Sequence, residues 1–148
     1  MAEETKERIE SELEVKAYIQ NLRFALDNGA KITFQAKRLV DEERKEEYTN
    51  QYTVNTLFPD ENPEEALKRE IRTLTVEEYM RTVKDLRFSK KSEMREFGRV
   101  YNSSENVYIK IRVEVMKSGS FGVDHIVFIM SFHYSTIPFD RLTFPYQS

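Results

Sequence analysis

The chain contains no cysteine, which removes a disulfide framework, a thiolate metal site and a cysteine nucleophile together. Any catalysis must come from histidine, lysine, arginine, tyrosine or carboxylates. Histidine is scarce as well, with two in 148 residues, and no spacing of ligating residues stands out, so no metal and no cofactor is expected. A phosphate-cradling glycine loop is missing, and with it the usual support for a small-molecule enzyme. No run approaches the roughly 18 apolar residues of a membrane span, and the acidic residues 1–10 hold no apolar signal region. A cytoplasmic address with no membrane partner is expected. The length suits one domain spanning 1–148, able to bury a core without staples.

Charge is unevenly spread. The net charge is −3, but residues 1–80 hold 12 Lys and Arg against 19 Asp and Glu, whereas residues 81–117 hold 10 against 5. Such asymmetry points to a second half that faces a polyanion. Chance variation of surface charge explains the same pattern, and patterning alone does not separate the two.

From Glu3 the sequence reads as a long N-terminal helix within residues 1–30, with Leu13, Ala17, Leu22, Ala25 and Leu26 near one face. Asn28-Gly29 closes it, and a short strand over 31–36 follows, with Ile32 and Phe34 on one side. Residues 38–48 are charged enough for an exposed helix or excursion, and 51–58 read as extended. A helical pair is expected over 63–86: Asn62 caps its first member with Pro63 at the first helical position, and Thr75 with Glu78 caps the second. That second helix would turn Tyr79, Met80 and Val83 inward and Arg81 and Lys84 outward. An antiparallel sheet is expected over 94–146, with strands at 94–101, 106–116 and 126–134 and a short extended piece within 142–146. Helices followed by an antiparallel sheet make an α+β fold.

The segment from Val107 to Val115 alternates almost without exception. Val107, Ile109, Ile111, Val113 and Val115 should enter the core, leaving Tyr108, Lys110, Arg112 and Glu114 on the open face. A hairpin around residues 117–124, with Gly119 and Gly122 in its turn, would set Val115 against Ile126, Val113 against Phe128, Ile111 against Met130 and Ile109 against Phe132. On the open face Tyr108 then meets His133, and Lys110 meets Ser131. Paired Cβ atoms lie about 4.5–5.5 Å apart, close enough to act on one ligand.

This face suits metal-independent RNA cleavage, in which a ribose 2′-hydroxyl loses a proton and attacks the adjacent phosphate. His133, with an ordinary pKa of about 6.5, can act as acid or base. Lys110, Arg112 and Arg81 can hold the phosphate, the arginines through a planar fork, with Lys84, Arg87 and Ser131 as further RNA contacts. Tyr108 can stack on a base or hydrogen-bond the phosphate. Each residue has a plainer reading, a solvated strand face for the cations and structural hydrogen bonding for His133. His125 reads as a loop residue, and Tyr101, Phe128, Phe132, Tyr134, Phe139 and Phe144 read as core or lid.

Leu74-Thr75-Val76-Glu77-Glu78-Tyr79, Phe97-Gly98, Val107-Tyr108-Ile109-Lys110-Ile111 and Met130-Ser131-Phe132-His133 resemble, in order and spacing, MqsR-type toxins of type II toxin–antitoxin systems. The likeness covers about residues 64–137. It implies a RelE-like fold and an endoribonuclease, an mRNA interferase, that cleaves messenger RNA without a metal until a cognate antitoxin restrains it. The family's YxK tyrosine and lysine fall on Tyr108 and Lys110, and its helix cation falls on Arg81. The chain departs from the family where Arg81 and His133 stand in place of lysines and Gly98 in place of a glutamine. The competing expectation is a non-catalytic module that binds RNA or protein on the same scaffold. Convergence of Arg81, Lys110, Arg112 and His133 in one pocket would favour catalysis, and an acidic concave surface would favour the module.

Overall fold

The computed structural model describes residues 5–34, 49–88, 90–117, 123–140 and 143–147. In chain order these form β1 (Thr5–Arg8), α1 (Glu12–Asp27), β2 (Lys31–Phe34), α2 (Asn50–Leu57), α3 (Pro63–Arg72), β3 (Tyr79–Asp85), β4 (Met94–Tyr101), β5 (Glu105–Lys117) and β6 (Val123–Tyr134). The strands make one six-stranded sheet in the order β1-β3-β4-β5-β6-β2. The fold is α+β, with the helices on one sheet face. Val15, Ile19, Leu22 and Leu26 of α1, Val54 of α2 and Ala66, Leu67 and Ile71 of α3 share a core with Tyr79, Phe97, Val107, Ile109, Ile111, Val127, Ile129 and Phe132 of the strands. Non-directional burial of that apolar surface is the main force holding the two layers together.

Several expectations need correction. The described residues start with a strand, not a helix: residues 5–8 pair with β3, and α1 begins only after Ser11. Ser11 Oγ accepts from the Glu14 N–H while Glu14 Oε1 accepts from the Ser11 N–H, both at 3.2 Å, a capping box that fixes the start. The buried face of α1 follows Val15, Ile19, Leu22 and Leu26, while Leu13 is 78% exposed. Residues 50–57 are helical rather than extended, because Thr49 caps the turn and Asn50, Thr53 and Val54 bury at helical spacing. The expected second member of the helical pair over 63–86 is a single 3₁₀ turn, Val76–Glu78, followed by β3. Pairing with β4 and β1 on both sides overrides the local helical pattern, so Arg81 and Lys84 are strand residues. The sheet is mixed, because β2 runs parallel to β6. His125 is a strand residue opposite Val115. Residues 38–48, the turn with Gly119 and Gly122, and the side chain of Val115 lie outside the described residues, and 143–147 form turns.

Other expectations hold. Gly29 takes a φ of 82° beyond α1, as a left-handed helix end requires. Asn62 Oδ1 accepts from the Glu65 N–H at the start of α3, and β4, β5 and β6 match their expected spans to within three residues. The β5–β6 register agrees for Tyr108–His133, Ile109–Phe132 and Lys110–Ser131, and then shifts. A bulge leaves Met130 unpaired, so Ile111 meets Ile129, Arg112 meets Phe128 and Val113 meets Val127. Ile129 and Val127 therefore fill the core where Met130 and Phe128 were expected.

The basic segment is partly answered inside the molecule. Arg95 reaches Glu10 at 2.8 Å, and Arg99 reaches Glu78 at 2.7 Å and Glu70 at 3.8 Å, joining β4 to the acidic first half. Part of the charge asymmetry is thus intramolecular pairing.

Candidate functional site

The sheet face away from the helices carries a cleft of about 840 Å³. Two rows of side chains cross its floor. In one, Arg81 of β3 stands opposite Glu96 of β4, Glu96 opposite Lys110 of β5, and Lys110 opposite Ser131 of β6. In the next, Gly98, Tyr108 and His133 stand abreast. Strand alternation brings them to this face, and the bulge at Met130 lets β6 aim Ser131 and His133 here while Ile129 points to the core.

His133 is 5% exposed. Its Nδ1–H donates to the Tyr134 carbonyl at 3.0 Å, which in the neutral ring assigns Nε2 as the acceptor nitrogen. The Tyr108 and His133 rings lie 5.4 Å apart between centroids, tilted by 46°. Arg81 Nε lies 2.7 Å from Glu96 Oε1 without the alignment of a hydrogen bond, and Arg81 Nη1 lies 3.7 Å from Glu7. Ser131 Oγ is buried with no hydrogen-bond partner among the described residues.

Helix α2 fixes the β6 side of the floor. β2 covers the outer edge of β6 only as far as Ile129. Beyond it Asn50 Nδ2 donates to the Met130 carbonyl at 3.2 Å, Asn50 Oδ1 accepts from the Phe132 N–H at 3.0 Å, and Thr53 Oγ1 accepts from the Tyr134 N–H at 3.0 Å. A helix thus satisfies the backbone of the strand segment that carries Ser131 and His133.

Residues 135–140 and Thr143 form the far wall. Phe139 and Phe144 meet edge to face and rest on Gly98, where an added Cβ would lie 2.9 Å from Phe139 and 2.8 Å from Phe144. A side chain at 98 would push this wall off the sheet. Ile9 and Ile137, 56% and 72% exposed, form part of an apolar rim.

Of the expected site residues, Tyr108, Lys110, Arg81, His133 and Ser131 converge here. Arg112 lies on the same face but outside the lining, over the Phe128 ring at 4.5 Å and 3.5 Å from Glu114. Arg87 is held by Asp85 through two side-chain hydrogen bonds of 3.1 Å, and the Lys84 ammonium donates to the Lys91 carbonyl. Neither lines the cleft. The sequence reading missed Glu96, Glu7, Arg8 and Asp140, which also line it. For Glu96 the signal was available: in Met94–Tyr101 it shares a phase with Gly98, so it faces away from Phe97.

One cleft thus holds a phenol hydroxyl, an imidazole and two cations from β3, β5 and β6, and no described cluster of ligating side chains suits a metal. Comparisons with protein-family models, with curated proteins and with solved structures give no significant match. No described helix is long and apolar enough to cross a membrane.

Proposed function

We propose that this chain is a metal-independent endoribonuclease, a cytoplasmic toxin of the MqsR type with a RelE-like fold, which cleaves messenger RNA and is restrained by a cognate antitoxin. The observation that carries the reading is the convergence of Tyr108, Lys110, Arg81, Ser131 and His133 on one cleft floor. Lys110 and Arg81 meet the negative charge of a phosphodiester, and Tyr108 stacks a base or hydrogen-bonds the phosphate. In the reaction the ribose 2′-oxygen loses its proton and bonds to phosphorus while the bond to the 5′-oxygen breaks. The products are a 2′,3′-cyclic phosphate and a 5′-hydroxyl. His133 exchanges a proton with the reacting oxygens through Nε2, because Nδ1 is committed to the Tyr134 carbonyl.

One observation favours the second reading, a protein-binding module. The cleft balances Arg8, Arg81 and Lys110 with Glu7, Glu96 and Asp140, and its rim includes Ile9 and Ile137. Induced expression of the chain beside its His133→Ala form separates the readings. Growth arrest with shortened messages in the parent alone, with cleavage reduced about 10²-fold or more in the variant, is expected. Normal growth and intact messages with soluble parent protein would favour the binding module.

A further inference from the structure

We propose that Glu96 is the general base of the cleft and His133 its general acid; this assignment rests on the ribonuclease reading above. In-line displacement at phosphorus takes a proton from the attacking oxygen on one side and delivers one to the leaving oxygen on the other. His133 offers the cleft one nitrogen, so a second group has to handle the other proton. Three carboxylates line the cleft. Glu7 is a largely exposed side chain beside Arg81. The Asp140 carboxylate accepts from the N–H and hydroxyl of Thr143 within the wall. Glu96 alone sits on the floor, nearly buried, two strands from His133. Two strand spacings separate their backbones by about 9–10 Å across the sheet and the offset of one row by about 7 Å along it, and both side chains project to the same face. Glu96 is the neighbour of Lys110 and His133 the neighbour of Tyr108, so a phosphodiester bound above Lys110 and Tyr108 would lie between the two.

The charges support this direction of transfer. Glu96 stands between Arg81 and Lys110, so this row carries one net positive charge, while Glu7 and Asp140 are set against Arg8 elsewhere in the lining. When Glu96 takes the 2′-hydroxyl proton, the attacking oxygen bonds to phosphorus and the pentacoordinate species gains a second negative charge. Glu96 becomes neutral in the same step, so Arg81 and Lys110 face two negative charges with two positive ones. Protonated His133 then gives its Nε2 proton to the departing 5′-oxygen. The titratable and charged groups that share the cleft with Glu96 are Glu7 and Arg8 of β1, Arg81 of β3, Tyr108 and Lys110 of β5, His133 of β6 and Asp140 of the wall.

The test is cleavage of a transcript by purified parent, Glu96→Gln and Glu96→Ala proteins across pH, with binding measured on a 2′-O-methyl copy of the same RNA. Glu96→Gln should lower kcat about 10²-fold or more and remove the limb of the pH profile that rises as one group deprotonates, with binding of the methylated RNA retained. Formate should restore part of the rate to Glu96→Ala, which also answers a variant that is merely misplaced. Cleavage by Glu96→Gln within about threefold of the parent, or an unchanged pH profile, would overturn the assignment and leave the ribonuclease reading standing. A folded parent that leaves the transcript intact would overturn that reading and this one with it.

Discussion

At the scale of single residues, Lys110 separates binding from proton transfer. It lies in the middle of the floor between Glu96 and Ser131, and its charge also reaches Asp85, whose carboxyl is held below the ordinary range chiefly by hydrogen bonds from Arg87. Lys110→Ala should weaken RNA binding as well as slow cleavage, and should reduce the slope of log affinity against log salt by about 0.7. Titration of a labelled RNA at several salt concentrations checks this; an unchanged slope would place the phosphate elsewhere. Glu10 tests a structural role. Burial pushes its carboxyl up, but hydrogen bonds from Arg95 and Thr82 and the charges of Arg95 and Arg8 outweigh that, so it titrates below the usual range. Its contribution is present above the unfolded-state value and is lost as pH falls through the lower folded-state value. Glu10→Gln should cost about 3 kcal/mol in urea unfolding at pH 7, and the gap from the parent should start to narrow as pH falls past the ordinary glutamate value of about 4.3 and close only below the lower folded-state value. The residues on the floor of β5 and β6 were legible because strict alternation sorts side chains by face. Glu96 was less legible because β4, Met94–Tyr101, mixes apolar and charged residues without the strict alternation of β5.

At the scale of elements, legibility followed the strength of the local signal. The caps at Asn62 and Thr75 and the turn at Gly29 could be read, since each rests on a few adjacent residues. β3 could not, because Thr75 and Glu78 start a helical turn that the chain leaves after Glu78 to pair between β1 and β4. The Met130 bulge was hidden for a different reason: residues 126–130 are all apolar, so either phase looks able to fill the core. α2 was obscured by Tyr52, Thr53 and Val54, which favour strands until Asn50 and Thr53 are seen bonded to the edge of β6. That contact gives a prediction at this scale. Asn50→Ala leaves the Met130 carbonyl and Phe132 N–H without their partners, which should cost about 1–3 kcal/mol. Amide exchange at Phe132 should quicken beyond that of Ile109, which pairs within the sheet. Equal protection at Phe132 in parent and variant would show that α2 does not hold the β6 side of the cleft.

At the scale of the whole molecule, the α+β class follows from the order of patterns along the chain, but the sheet's breadth does not. β1 is four residues long, too short to announce itself; β2 reads as a short strand in the sequence, but nothing local shows that it pairs with β6, and the two add an edge strand on either side of the other four. Part of the charge division of the sequence is answered by pairs such as Arg95–Glu10 and Arg99–Glu78, which join the two halves. The proposed function rests on the local constellation at the cleft rather than on a basic surface. End-group analysis of a messenger transcript, incubated with the folded protein in the presence of a metal chelator, both alone and in a translating extract, tests that claim most directly. Cuts that carry 2′,3′-cyclic phosphate and 5′-hydroxyl ends and that fade in His133→Ala are expected. An intact transcript under both conditions, or cuts that need a metal and leave 5′-phosphate ends, would contradict it.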